Sequence, residues 1–152
     1  MLITLFEDVI IQTTCRLLVP PMQLFALYVI AHGHHSPGGG FQGGVILGAS
    51  FVLLSVAYSI DDVKRRMSER LNVIFCSLGV IIFGGIGVVC LILGANYLDY
   101  GIFHKLLSVD IPLARALGIL GVEIGIGFTV MAVMISIFLN LASGGKHEDA
   151  VK

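Results

Sequence analysis

The stretch HGHHSPGGGFQGG, residues 32–44, decides how the chain folds, because it places three histidines, one proline and six glycines within thirteen residues. Glycine loses more conformational entropy on folding than any other residue, so such a run suits either a flexible linker or a backbone packed closely against another group. Apolar sequence follows at once, and Phe41 and Gln42 interrupt the glycines, which favours close packing. We therefore predict a glycine elbow, formed by Pro37, Gly38, Gly39, Gly40, Phe41, Gln42, Gly43 and Gly44.

The composition indicates an integral membrane protein. Of the 152 residues, 57% are hydrophobic and only 12% are charged, whereas soluble domains are about one-quarter charged. The mean hydropathy is +0.98. The formal net charge of −1 and the single basic cluster in residues 64–70 leave no electrostatic footprint for a nucleic acid.

Four apolar stretches predict an all-α fold with four transmembrane helices and the glycine elbow between the first two. A bilayer core of about 30 Å needs about 20 apolar residues in a helix. The stretches that meet this length lie at about residues 9–31, 41–60, 71–98 and 116–141. We predict that residues 1–152 form a single transmembrane domain of a multi-pass protein in the cell membrane.

The basic residues predict the orientation of this domain. Four crossings put both termini and the loop around residues 61–70 on one side, and the glycine elbow and the loop around residues 99–115 on the other. The first side carries Arg16, Lys64, Arg65, Arg66, Arg70, Lys146 and Lys152, and the second carries Lys105 and Arg115. The positive-inside rule then places both termini in the cytoplasm.

Glu123 is the first candidate for ion chemistry, because it lies inside the fourth predicted helix, about 10 Å from Ala116 at 1.5 Å per residue. An acid at such a depth costs about 2.5–3.5 kcal/mol, so it normally faces protein or water. Gly121 and Gly125 form a GxxxG pair on the opposite side of the helix, where they are expected to pack against a neighbouring helix. Two roles stay open for Glu123: a structural carboxyl bonded to another helix, and a carboxylate that relays protons or binds cations.

His32, His34 and His35 are the other candidates for the ion path. Neutral imidazoles bind metals and relay protons near neutral pH. His34 and His35 are adjacent and cannot readily point to one centre, and no cysteine or carboxylate stands close in sequence, which disfavours zinc or copper. We expect no metal and no cofactor in this chain. Hydrogen bonds that fix the elbow and a proton-accessible rim are the two favoured roles for the histidines, and a metal or redox site is the third alternative.

The chain shows no pattern of an enzyme. A Ser/His/Asp arrangement and a paired-carboxylate site are both missing, and the glycines fit neither GxGxxG nor GxxxxGK[ST]. We therefore predict a non-catalytic protein.

The elbow sequence resembles the signature of the MnhB/MrpB family, which are small membrane subunits of multisubunit Na⁺/H⁺ antiporters. The resemblance is carried by GHHSPGGGFQGG at residues 33–44 and by DVIIQTT at residues 8–14 with the basic Arg16. An acidic residue followed two positions later by glycine, here Glu123 and Gly125, is similar to the last helix of the family. The resemblance covers nearly the whole chain.

This resemblance implies a four-helix subunit that works beside other membrane subunits, including large proton-pumping ones, in a module that exchanges Na⁺ and H⁺. The same module recurs in archaeal membrane-bound hydrogenases and ferredoxin-driven sulfur-reducing complexes, so a hydrogenase-like partner is the alternative host. A purely structural adaptor is the second alternative. One buried acid in four helices is too little for a complete proton path, which agrees with a subunit that does not transport alone.

Overall fold

A computed structural model describes residues 2–33, 39–58 and 68–142, without the side chains of residues 2–8. Its helices are α1 (Leu2–Ala31), α2 (Gly39–Ala57), α3 (Glu69–Ile92), the short α4 (Phe103–Leu107) and α5 (Ile111–Ala142), with a 3₁₀ turn at Tyr100–Ile102. The described residues contain no strand, which confirms the predicted all-α fold. Four helices are long and apolar enough to cross a membrane: α2, α3, α5 and the Val9–Ala31 part of α1. The chain is therefore a multi-pass membrane protein.

The predicted elbow is wrong in its extent, because Gly39–Ala57 is one helix that includes most of the glycines. The connection between α1 and α2 is confined to residues 32–38, of which residues 34–38 lie outside the described structure. Glycines disfavour a helix by about 1 kcal/mol each relative to alanine. Their packing against α1 and α5, described below, explains why a helix begins in a sequence of such low helix propensity.

Helix α3 ends at Ile92, six residues before the predicted end, because Gly94 adopts a left-handed conformation with φ of 84°. The amide of Gly94 donates to the carbonyl of Leu91 at 3.0 Å, and that of Ala95 donates to Cys90 at 3.1 Å. These two bonds form a Schellman motif, which closes a helix at a glycine. At the other end, the Ser68 hydroxyl accepts from the amide of Leu71 at 3.3 Å and caps the helix.

Helix α5 is the centre of the fold, because it packs along α2 on one face and along α3 on another. Helix α1 packs mainly on α2. Apolar side chains from α1, α2 and α5 make the main core, namely Ala26, Ile30, Leu47, Met131, Ile135 and Leu139. Many other large apolar side chains of the described helices are exposed, as expected for surfaces that face lipid or partner subunits.

Glycines four residues apart bring α2 against α5. A methyl group on Gly44 would lie 2.7 Å from the carbonyl oxygen of Gly127, and one on Gly48 would lie 2.8 Å from Cβ of Met134. Such distances are too short for ordinary carbon contacts, so only glycine lets the two helices approach this closely. This small-residue packing holds membrane helices together where lipid removes the usual hydrophobic advantage.

The contact between α3 and α5 combines small residues with polar ones. Gly79 lies directly on the backbone of Gly125 and on Thr129. Nearer the beginning of α3, the buried Asn72 donates from Nδ2 to the carbonyl of Ala132 at 3.0 Å and to Oγ of Ser136 at 2.7 Å. Hydrogen bonds between membrane helices contribute about 0.6 kcal/mol on average. The two hydrogen bonds of Asn72 therefore add a modest stabilisation to the close backbone packing at this contact.

Candidate functional site

Glu123 lies near the middle of α5, deeper than the sequence predicted. The helix begins at Ile111 rather than near Ala116, so Glu123 is about 18 Å from its start at 1.5 Å per residue. Other acidic residues of the described helices lie before a candidate membrane span or at its first residue: Glu7 and Asp8 precede the span Val9–Ala31, and Glu69 is the first residue of α3. Glu123 is thus the only acid in the described part of the chain that stands in the interior of a candidate membrane span.

Three glycines enclose the side chain and backbone of Glu123. Gly33, just after α1, and Gly39, the first residue of α2, both contact the carboxyl group, while Gly40 contacts the backbone of Glu123. A Cβ atom on any of the three would overlap Glu123. We call this arrangement the carboxyl niche: Gly33, Gly39, Gly40 and Glu123. The niche joins the end of α1, the beginning of α2 and the middle of α5.

One oxygen of the Glu123 carboxyl group, the buried Oε2 atom, has no hydrogen-bond partner among the residues that the structure describes. An unpartnered charge is costly to bury. The first turn of α2 adds a favourable element, because a helix N-terminus carries a partial positive charge that stabilises an anion. The niche therefore places a carboxyl with an unpartnered oxygen beside the first residue of α2.

Only one of the three candidate histidines lies in the described structure. His32 is exposed, its ring stacks on Tyr28 with 4.1 Å between centroids, and its Nδ1 is 3.0 Å from the carbonyl oxygen of Tyr28. His34, His35, Pro37 and Gly38 lie outside the described residues, so their predicted roles stay predictions. Within the described ranges, no group of three His, Cys, Asp or Glu residues is arranged to hold a metal ion.

The remaining predicted elbow residues divide between helix contacts and the surface. Gly43 faces α1, where a Cβ would lie 2.8 Å from the carbonyl oxygen of Ala26, and Gly44 faces α5. Phe41 and Gln42 are exposed on α2. The glycines of this segment therefore make the contacts inside the chain, and the two larger residues point away from it.

Gly121 and Gly125 lie on the face of α5 that meets α3. A Cβ on Gly121 would come within 2.8 Å of Ile86, and one on Gly125 would come within 2.8 Å of the carbonyl oxygen of Gly79. Glu123, about 200° from Gly121 at 100° per residue, faces the end of α1 and the beginning of α2 instead. Two residues of separation thus place the carboxyl and the glycine pair on different interfaces of one helix.

Two features of the site do not follow from the sequence reasoning. Gly33 is not distinguished there from the other glycines, and nothing in the sequence near it points to Glu123. The second feature is the row Gly40, Gly44 and Gly48, whose four-residue spacing marks one helix face. That spacing is visible in the sequence, but the second predicted helix begins at about residue 41 and so leaves Gly40 outside it.

The niche predicts that the effects of substitutions at Gly33 and at Glu123 on stability depend on each other. Gly33→Ala is expected to destabilise the protein by about 1–3 kcal/mol, the usual cost of overpacking. If the collision is with the carboxyl, Gly33→Ala combined with Glu123→Ala should be more stable than the sum of the two single changes predicts. Thermal unfolding of the four proteins, wild type included, measures this coupling. Strict additivity would mean that the carboxyl does not occupy the space beside Gly33.

Comparisons with known proteins agree with this architecture. A family model described as "Domain related to MnhB subunit of Na+/H+ antiporter" matches residues 10–136, which include the whole carboxyl niche. A Staphylococcus haemolyticus protein named "Putative antiporter subunit mnhB2" is 32% identical over 143 residues, covering 92% of this chain and 97% of the relative. The protein of that name from Staphylococcus aureus strain Newman is 26% identical over 138 residues, covering 91% and 96%. Since the family model spans most of the chain, the chain belongs to the MnhB family.

Proposed function

We propose that this chain is a non-catalytic membrane subunit of a multisubunit Na⁺/H⁺ antiporter, without a cofactor of its own. The proposal is supported by the family match and by relatives that are named as antiporter subunits. Both termini are cytoplasmic in this proposal, following the distribution of lysines and arginines. The partners are the other membrane subunits of the module, including large proton-pumping ones.

The observation that carries a role in the ion path is the carboxyl niche. An ionisable residue inside a membrane segment is costly, and it normally marks an ion or proton route. Here three glycines make room for one carboxyl and its backbone. A residue whose only task is packing needs no acidic group at this position, so the niche favours participation in transport over a purely structural adaptor.

Glu123 acts together with groups of other subunits in this proposal. A proton path across a bilayer needs a series of ionisable groups, and among the described residues Glu123 is the only acid in the interior of a candidate membrane span. The exposed apolar faces of α1 and α3 offer surfaces on which neighbouring subunits would complete the path. Glu123 is then one ionisable group of a proton route that this chain shares with its partners.

The test is to remove this chain alone from its complex. Inverted membrane vesicles containing the complete complex should exchange Na⁺ for H⁺, and vesicles lacking only this chain should not until the wild-type chain is supplied. Affinity purification of the tagged chain should recover the other membrane subunits, and their identity would show whether a hydrogenase-like module is attached. Exchange at an unchanged rate without the chain would refute the proposal.

A further inference from the structure

The loop between α3 and α5, residues 93–110, lies at a membrane surface, because it joins two helices that can each cross the membrane. The structure describes all of it. The ring of Tyr97 packs on Gly87 of α3, and Tyr100 packs on Gly118 of α5, so the loop is held against both helices. Tyrosine is enriched at the level of the lipid headgroups, where one part of the ring meets hydrocarbon and the hydroxyl meets water. The loop therefore sits where headgroups lie.

A cavity of about 250 Å³ opens in this loop. Its lining includes Lys105 from α4, Arg115 from the second turn of α5, and the side chains of Asp99, His104 and Ile111. We call it the loop cavity. Lys105 and Arg115 are the two basic residues that the charge distribution assigns to this side of the membrane. Both of them thus meet in one cavity.

The loop cavity carries an excess of positive charge. Asp99 is the acid of its lining, and the Asp99 carboxylate accepts from the amide of Gly101 at 3.2 Å. The ring of His104 is held at the edge of the cavity, where Nδ1 donates to the carbonyl of Gly101 at 2.8 Å. Asp110, the other acid of the loop, is not part of the lining. Two basic side chains against one acid leave a site that attracts an anion.

Large apolar side chains beside these cations are exposed. Leu106 and Leu107 directly follow Lys105 and are 62% and 48% exposed, and Ile111 of the lining is 47% exposed. Soluble surfaces rarely keep such side chains together, so their exposure marks a surface that meets lipid or another apolar group. Positive charge and apolar surface therefore lie side by side at the end of two membrane helices.

We propose that the loop cavity binds the headgroup of an anionic phospholipid, with the phosphate between Lys105 and Arg115 and the acyl chains along Leu106, Leu107 and Ile111. A guanidinium holds phosphate through paired N–H groups, and an ammonium holds it as a point charge. An anionic lipid matches both halves of this surface, because it joins an anion to hydrocarbon in one molecule. The site is separate from the carboxyl niche, since Arg115 lies about 12 Å before Glu123 along α5 at 1.5 Å per residue.

Photoactivatable phosphatidylglycerol and phosphatidylcholine, with the reactive group at the same place in the acyl chain, test this in the complete complex. The complex is placed in nanodiscs of phosphatidylcholine that contain one of the two probes, and mass spectrometry locates the labelled residues after illumination. We expect phosphatidylglycerol to label residues 105–115 more strongly than phosphatidylcholine. Lys105→Gln and Arg115→Gln should each reduce this preference about fivefold, because one basic residue near an anionic membrane surface contributes about 1 kcal/mol.

Two controls separate charge from folding. The pair Lys105→Arg with Arg115→Lys retains both charges and should keep the preference. Arg70→Gln removes an exposed arginine at the start of α3, away from the cavity, and should also keep it. A loss of the preference in either control would overturn the inference.

The remaining outcomes distinguish other occupants of the cavity. Equal labelling by the two lipids would overturn the inference, and so would an absence of labelling by both, which would mean that a partner subunit covers the surface. Inorganic phosphate, compared with chloride at equal ionic strength, should leave the preference unchanged. If phosphate abolishes the preference, the cavity binds the anion without the lipid and the inference is also overturned.

Discussion

Glu123→Gln is expected to reduce Na⁺/H⁺ exchange to the level of vesicles that lack the complex, while the subunits still purify together. Glutamine has nearly the same size as glutamate, so it fits beside Gly33, Gly39 and Gly40 and leaves the packing of α2 on α5 intact. It cannot take up and release a proton, so a path that passes through this position is interrupted. Initial rates in inverted vesicles, normalised to the amount of assembled complex, measure the effect.

Glu69→Gln is the control for this experiment, because it removes a carboxyl at the exposed start of α3 and should leave the exchange rate unchanged. Unchanged exchange in Glu123→Gln would assign the carboxyl to packing and make the chain a structural adaptor. Loss of the assembled complex in Glu123→Gln would point the same way, since it would mean that the carboxyl is needed to hold the helices together.

Gly79→Ala is expected to separate α3 from α5 and to destabilise the assembled complex by up to about 2 kcal/mol. A Cβ at this position would collide with the backbone of Gly125 and with Thr129, so the helices themselves must move apart. Alanine favours a helix over glycine by about 1 kcal/mol, but overpacking at a close helix crossing costs about 1–3 kcal/mol. We expect the collision to outweigh the gain in helix propensity.

Gly84→Ala is the matched control, because it lies in the same helix and no atom that a Cβ could collide with lies within 4 Å of the place where its Cβ would stand. It gains the same helix propensity without the collision, so it should be neutral or slightly stabilising. The difference between the two melting temperatures of the purified complex isolates the effect of the crossing. Equal melting temperatures would mean that α3 does not approach α5 at Gly79.

The sequence was sufficient for the architecture, because length and hydropathy alone determine which segments can cross a membrane. It was less reliable at helix ends. Gly94 lies inside a stretch of 28 residues without a charged side chain, so hydropathy extended α3 past the glycine that ends it. At the start of α2 the error was the opposite one, because the predicted helix began too late. Gly39 and Gly40 have a low helix propensity, but tertiary contacts stabilise them in the helix.

The candidate site was predictable only in part. The position of Glu123 within an apolar helix identified the residue, and the helical spacing separated its face from that of Gly121 and Gly125. The contact with Gly33 and Gly39 was not predictable in the same way. Periodicity shows which residues of one helix share a face, but it does not show which distant segment that face meets.

The position of α5 between its neighbours also sets the distance over which mechanical strain would travel. The crossing at Gly125 and the carboxyl of Glu123 are two residues apart on different faces, so only the thickness of one helix, about 10 Å with side chains, separates α3 from the carboxyl. Close-packed protein interiors have low compressibility and transmit strain. A displacement of α3 towards α5 would consequently move the Glu123 carboxyl together with α5, because no loop lies between the two faces of that helix.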